Sequence, residues 1–292
     1  MNAIAPIQIA DTDPFRITGP AVIAFSGGRT SAYMLWRILQ AHGGTLPDDV
    51  VVLFQNTGRE MPATLDFVRD CGAAWNVPIV WLEYDRTPTG PTYRIVSYNS
   101  ASRDGEPFRK LLLSKTMLPN PVSRFCTTEL KIRTAKRYIR DVKGWERWKN
   151  VVGLRADEPV RVKRATDPAR NKKDRWDVVC PLATDGVQEI DVLQFWRRQT
   201  FDLRLAGRWE GNCDGCFLKN RGALTRMLRD HPERMTWWAD QERNLRHCEG
   251  AGATFRADRE DYAKLAEIVR DQGVMPFDLE DSLPCTDAGC GI

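Results

Sequence analysis

The sequence predicts an α/β fold, an open parallel sheet with helices on both faces, followed by a mostly helical C-terminal part. Three observations predict it. Several strands are continuously apolar rather than alternating, as strands buried on both faces are. They alternate with segments whose apolar residues recur at helical spacing. The first strand passes into the first helix through Ser-Gly-Gly-Arg-Thr-Ser, in "VIAFSGGRTSAYML" (22 to 35). In order, a strand at 20–25 precedes a helix at 30–41, whose face carries Tyr33, Met34, Leu35, Ile38 and Leu39. The strand "VVVLFQN" (50–56) precedes a helix at 61–75 with Leu65, Val68 and Trp75 on one side. The strand "PIVWLEY" (78–84) follows. Helical patterns come at 107–115 and 127–142, then strands at 150–155 and 177–183. Further helices are expected near 189–199, 219–230, 232–247 and 258–271. Residues 15–205 read as an α/β domain and 206–292 as a Cys-containing helical region packed on it.

The totals set limits. At 292 residues, with 28% charged and 42% hydrophobic content, the chain can bury a sizeable core. No apolar run is long enough to cross a bilayer. The N-terminal "MNAIAPIQIADTDPF" lacks a basic region followed by an apolar core, so a cytoplasmic protein without a membrane partner is expected. The net charge of +4 is small, but "RVKRATDPARNKKDR" (161–175) holds seven Lys or Arg against two Asp. Such a stretch, read as a loop, suits either a polyanion or plain solvation.

The junction after the first strand has the composition of an anion-binding loop. In an open parallel sheet ligands sit beyond the carboxyl ends of the strands, where free N–H groups and helix dipoles favour negative charge. Gly27 and Gly28 allow close backbone approach. Ser26, Thr30 and Ser31 offer hydroxyls, and Arg29 adds charge. Neither a Walker A nor a GxGxxG spacing is present.

"SGGRTS" resembles the SGGxxS pyrophosphate loop of the PP-loop superfamily, the adenine nucleotide α-hydrolase-like proteins. Four more stretches resemble one branch of it, the PAPS/APS reductase (phosphoadenosine phosphosulfate reductase) family: "NTGREMPATLDFV" (56–68), "RFCTTELKI" (124–132), "VGLRADEPVRVKR" (152–164, with Pro159 where Ser is usual) and "GNCDGCFLKN" (211–220). The five stand in the family order. The resemblance implies a Rossmann-like PP-loop fold. It implies an adenine nucleotide, APS, PAPS or ATP, on Ser26, Gly27, Gly28, Arg29, Thr30 and Ser31, with Thr57 and Gly58 beside it. Arg155 would hold phosphate or sulfate, with Lys131, Arg161, Lys163 and Arg164 adding positive field. Glu60 and Glu158 are candidates for a Mg²⁺ or for ordering their own loops.

Eight cysteines are present: Cys71, Cys126, Cys180, Cys213, Cys216, Cys248, Cys285 and Cys290. In a reducing compartment they are not expected to form structural disulfides. Cys213 and Cys216 form a CxxC pair, a spacing that can place two thiolates on one metal. In the iron–sulfur form of the family a tandem Cys-Cys and a later CxxC ligate a 4Fe–4S cluster. Here 86 residues separate Cys126 from Cys213, but Phe125 and Thr127 flank Cys126, so the tandem is reduced to one. The fourth ligand would come from Cys248, Cys285 or Cys290, or the cluster would keep three thiolates and an open iron, as in cluster-dependent sulfur-transfer relatives. Zinc on Cys213, Cys216, Cys285 and Cys290 is the other option. Cys71 and Cys180 read as core. The family's nucleophilic cysteine lies in a Glu-Cys-Gly-x-His tail, and Cys290-Gly291 resembles part of it without the Glu or the His.

Three functions are consistent with this. The first is reduction of APS or PAPS to sulfite, with Cys290, Arg155 and Lys131 at the reacting group and a thioredoxin-like reductant. The second is ATP-dependent thiolation of tRNA or DNA. For it the basic run supplies a docking charge, and Trp145, Trp148, Trp176, Trp209, Trp237 and Trp238 are candidate stacking surfaces or buried core. The third is a non-catalytic nucleotide-binding component of a larger assembly. A homo-oligomer is expected.

Overall fold

The computed structural model describes residues 13–169, 174–245 and 254–272. Five parallel strands and one antiparallel edge strand form a single sheet. They are β1 (Ala21–Ala24), β2 (Val50–Asn56), β3 (Ile79–Thr87), β4 (Gly90–Val96), β5 (Trp148–Val152) and β6 (Trp176–Val179), in the order β4-β3-β2-β1-β5-β6. Ala21 to Ala24 of β1 pair with Val50 to Leu53 on one side and with Lys149 to Val152 on the other. That central position accounts for the buried, unbroken apolar run of β1.

Side chains of alternate residues go to opposite faces. On one face Ala21, Ile23, Val52, Phe54 and Val151 meet α1 (Arg29–Ala41), α2 (Pro62–Ala74) and the later helix with Val192 and Trp196. On the other, Val22, Val51, Leu53, Leu82, Trp148 and Trp176 meet Tyr138 and Ile139. A further core joins Tyr84 and α3 (Glu106–Lys115) to Cys213, Cys216 and the C-terminal helices. Each fully buried Leu, Ile or Phe in these layers contributes about 1.5–3 kcal/mol over its exposed state.

The remaining helices are α4 (Thr134–Tyr138), α5 (Pro159–Ala165), α6 (Pro181–Thr184), α7 (Glu189–Trp196), α8 (Arg221–Asp230), α9 (Pro232–Leu245) and α10 (Tyr262–Gln272). α4 is flanked by two π-helical stretches, Thr127–Arg133 and Ile139–Lys143. The 127–142 segment is therefore helical as expected, but wider than an α-helix at both ends. The Thr134 hydroxyl donates to the Glu129 carbonyl at 2.8 Å, and the buried Glu129 carboxylate collects Lys115, Arg133 and Arg137.

Several expectations are corrected. β4 is an unforeseen strand. The Thr87–Gly90 turn, with Gly90 at φ +140°, folds "TYRIV" back as an antiparallel edge, half-exposed and so without a clear apolar period. The expected strand at 177–183 stops at Val179, because Pro181 starts α6. The strand expected at 150–155 ends at Val152. Residues 161–165 of the basic run lie on α5 rather than in a loop, while 170–173 fall outside the described residues. No helix is long and apolar enough to cross a membrane among the described residues.

Cys71 and Cys180 are buried, and no disulfide occurs among the described cysteines. Burial pushes the Cys71 thiol far up and the Cys180 thiol up to about 11, the latter with help from Glu158. Both stay protonated near pH 8. Iodoacetamide at pH 8 is expected to leave them unmodified in the folded protein and to alkylate them after denaturation. Peptide mass spectrometry reads the outcome, and labelling of either in the native state would remove it from the core.

Candidate functional site

The loop after β1 is organised by its own hydroxyls. Ser31, in the first turn of α1, donates to the Gly28 carbonyl at 2.9 Å and accepts from the Ser26 amide at 3.2 Å; the Ser26 hydroxyl lies 3.0 Å away. The two glycines have different reasons to be there. Gly27 is at φ +76°, and a Cβ on it would lie 2.8 Å from Thr64 and 3.1 Å from Val68 of α2. The fold requires it. Gly28 is extended, at φ −103°, and an added Cβ would meet only the Ser26 hydroxyl, at 3.7 Å. The fold does not require it. Its bare surface lies at the N-terminus of a 13-residue helix, where an anion would sit.

Arg155 leaves the end of β5 beside this loop. It donates to Thr30 Oγ1 at 3.3 Å and pairs with Asp157 at 2.8 Å. Gly153 makes that approach feasible, since a Cβ there would lie 3.1 Å from the Ser31 Cα. Arg29 does not face the loop. Its guanidinium is clamped in two bonds to Asp202, at 2.7 and 2.8 Å, and reaches the Leu203 carbonyl. The expectation that Arg29 adds charge at the nucleotide is thus corrected to a tie between α1 and the 202–203 segment. Glu158 accepts from the Arg155 amide and pairs with Arg161, so it orders its own loop. Lys163 and Arg164 are exposed on α5.

β2 ends in a second tight structure. Glu60 is buried and accepts from both the amide and the hydroxyl of Thr57 at 2.9 Å. It also forms a strand-like bridge to Cys213, and Thr57 Oγ1 lies 3.4 Å from the Cys213 sulfur. Gly58 is at φ +79°, with Ser102 and Gly105 where a side chain would project. Its conformation and packing explain the glycine without a ligand.

Asp214, fully buried between the two cysteines, fastens this loop to the Cys-x-x-Cys turn. It takes Arg59 at 2.5 and 3.2 Å, Arg234 at 2.8 Å and the Trp238 indole N–H at 2.7 Å. The Arg59 carbonyl accepts from the Asp214 amide in return. Burial pulls the Arg59 guanidinium below its ordinary range, against the opposing pull of Asp214. Trp238 lies so close over Gly215 that a Cβ would fall 2.3 Å from its ring. Lys219, also buried, donates to the carbonyls of Trp209 and Gly211 on the approach to the turn.

These constraints bring Cys126, Cys213 and Cys216 to the wall of one cavity of about 380 Å³. The other walls are Thr57, Arg124, Lys131 and the apolar Phe108, Leu130, Phe217, Leu218 and Trp238. No three His, Cys, Asp or Glu side chains converge as a single bound ion requires, among the described residues. The three thiols line one cavity. Cys248, Cys285 and Cys290 lie outside the described residues. The stacking role is corrected for four tryptophans. Trp148, Trp176, Trp237 and Trp238 are buried, and only Trp145 and Trp209 are partly exposed.

The residues that sequence reasoning missed are Arg59, Asp214, Arg234, Gly153 and Lys219. A charged residue inside the CxxC turn was the available signal: an Asp so placed needs a partner if buried. Nothing in the local sequence points to Arg234, which is distant in the chain.

No family model matches the sequence. The chain is 32% identical over 204 residues to the uncharacterized nin region protein ORF290 of Escherichia phage lambda, covering 68% of this chain and 66% of that protein. The match thus spans just under two thirds of that relative's length. Among solved structures, the U34-tRNA thiolase NcsA from Methanococcus maripaludis with its 4Fe–4S cluster aligns over 87% of this chain and 82% of that one. The identity is 13% and the TM-score 0.36, a likeness that carries no argument.

Three outcomes are expected from this geometry. Gly27→Ala should lower thermal stability, by about 1–3 kcal/mol for the backbone strain alone. Gly28→Val should leave the unfolding transition largely intact while abolishing nucleotide binding in calorimetry. Intact binding in Gly28→Val would remove the loop from the site. Asp214→Ala should destabilise by about 3–5 kcal/mol, because Arg59 and Arg234 lose their shared buried partner. Denaturant titration measures this, and a loss under about 1 kcal/mol would show that the triad does not hold the turn.

Proposed function

We propose that the chain binds an adenine nucleotide on the Ser26–Ser31 loop, carries an iron–sulfur cluster on Cys126, Cys213 and Cys216, and transfers sulfur to a nucleic acid in an ATP-dependent reaction. Adjacency is the observation that carries the reading. Thr57 directly follows the last residue of β2, the strand paired with β1, and lines the cavity of the three cysteines, 3.4 Å from Cys213.

The residues fit these tasks. The amides at the start of α1 and the Arg155 guanidinium beside Thr30 would hold phosphates and orient the nucleotide. Phe108, Leu130, Phe217, Leu218 and Trp238 would keep water from the thiols, and Arg124 and Lys131 would offset thiolate charge. A cluster bound by three thiolates supplies one iron without a protein ligand, open to an exogenous sulfur. The nucleic-acid acceptor is supported by the cations around the cavity.

A second reading, reduction of APS or PAPS to sulfite, is favoured by one sequence observation, the Cys290-Gly291 ending. There Cys290 would attack the sulfonate sulfur while Arg155 and Lys131 hold its oxygens.

Anaerobic purification with iron and sulfide assays tests the shared part. About four irons per chain and broad absorbance near roughly 400 nm are expected, both lost in Cys126→Ala. Zinc without iron would overturn the cluster. The two readings then separate by substrate. ATP consumption stimulated by nucleic acid and a sulfide source supports thiolation. Sulfite release from APS or PAPS, abolished in Cys290→Ser, would replace it with the reductase.

A further inference from the structure

The positive charge of this chain is concentrated in one segment. Residues 124–165 hold 13 Lys or Arg against 5 Asp or Glu, a net of +8; the rest of the chain, with 30 against 34, is at −4. The fold gathers this segment on one side. Tyr138 and Ile139 of the helical run 127–143 pack on Val22, Val51 and Trp148, and Val162 and Ala165 of α5 pack beside them on Ala24, Val152 and Val178. Val22 and Ala24 are two residues apart on β1, so both helices cover the same sheet face. Their outer sides then lie on the same side of the sheet.

Four cations on it reach solvent. Arg133, Arg140, Lys163 and Arg164 are exposed. Lys136, Arg140, Lys143 and Lys163 have no carboxylate partner among the described residues. Lys136 lies over the Trp176 ring at 5.6 Å and Lys143 over Trp145 at 5.9 Å. A groove of about 460 Å³ runs between the 131–139 helix and the sheet, lined by Lys131 and Lys136. Lys131 also lines the cysteine cavity, together with Arg124. The positive track therefore leads from the far end of the helix, at Lys143, to the mouth of the site.

We infer that this face is the docking surface of a nucleic acid, whose phosphodiester backbone lies along the outer sides of 131–143 and α5 and is led to the cysteine cavity at Lys131 and Arg124. The inference rests on the nucleic-acid reading of the site and names the surface that serves it. A row of cations without carboxylate partners at helical spacing suits repeated phosphates, and contact of this kind is independent of base sequence.

The test is fluorescence anisotropy with a fluorescein-labelled single-stranded RNA of roughly 20 nucleotides, at several salt concentrations. The triple variant Lys136→Gln, Arg140→Gln, Lys143→Gln should bind at least about tenfold more weakly at low salt, and its slope of log affinity against log salt should fall by about 2. A control removing the same charge from exposed positions elsewhere, Arg197→Gln, Arg198→Gln and Arg243→Gln, should keep the wild-type slope. Circular dichroism confirms that both variants fold; if the triple does not, Arg140→Gln alone should still lower the slope, by about 0.7. An unchanged triple variant, or a control equally weakened, would overturn the assignment. So would polyglutamate competing as well as the RNA at equal charge. Cys126→Ala and Gly28→Val should bind the RNA normally. A wild-type chain that holds no iron or binds no nucleotide, yet binds RNA with the predicted loss in the triple variant, would refute the sulfur-transfer reading alone; iron and nucleotide binding with an unchanged triple variant would refute the surface alone.

Discussion

A buried carboxylate between two cysteines holds the site of this protein together. Asp214 has no contact with solvent and is met by Arg59 from the end of β2, Arg234 from α9 and the Trp238 indole. Taking one anion and two cations out of water is costly unless each finds its partners in good geometry. That demand fixes three separate pieces of chain at once. The β2–α2 loop cannot shift without uncovering Arg59, the Cys-x-x-Cys turn cannot shift without uncovering Asp214, and α9 closes over both. Gly215 under Trp238 and Gly105 against Arg59 and Trp237 are the spaces this packing needs.

The consequence is that two chemically different surfaces are parts of one rigid assembly. The anion loop at β1 is held by Ser31 and by Gly27 against α2. The cysteine wall is held by Asp214 and by Glu60. Thr57 follows β2, the strand paired with β1, and its hydroxyl lies 3.4 Å from the Cys213 sulfur. Such a site is organised before any ligand arrives, so a bound group would not have to order it. The apolar walls lower the local dielectric, so a charge held in the cavity would feel Arg124 and Lys131 more strongly than it would in water.

Much of the fold was legible in the sequence, for identifiable reasons. The central strands carry unbroken apolar runs because helices cover both faces, and α1 and α2 carry clear stripes for the same reason. β4 was not legible. As an edge strand, with Ile95 59% exposed, it has no buried period to show. The π-helical widening of Thr127–Arg133 and Ile139–Lys143 was also hidden, since the apolar residues there recur as they would in an ordinary helix. At the site, the residue types of the SGGRTS loop and of the CxxC turn announced an anion and a metal or redox pair. Their separate duties did not show. Arg29 and Gly27 serve the fold, Gly28 has open space beside it, and Arg155 stands beside Thr30 while paired with Asp157. Only contacts between distant segments distinguish them, and Arg234 and Asp202 lie far along the chain from what they hold.

Gly28 also speaks to how such a chain would age. Most positions in a site are constrained twice, once by packing and once by ligand, so their loss is visible as instability. At Gly28 a side chain finds open space and an ordinary backbone angle. A lineage that no longer needed the nucleotide could therefore replace it freely, with no penalty in folding to slow the drift. If the loop binds a nucleotide as proposed, a glycine kept there would be a record of that use.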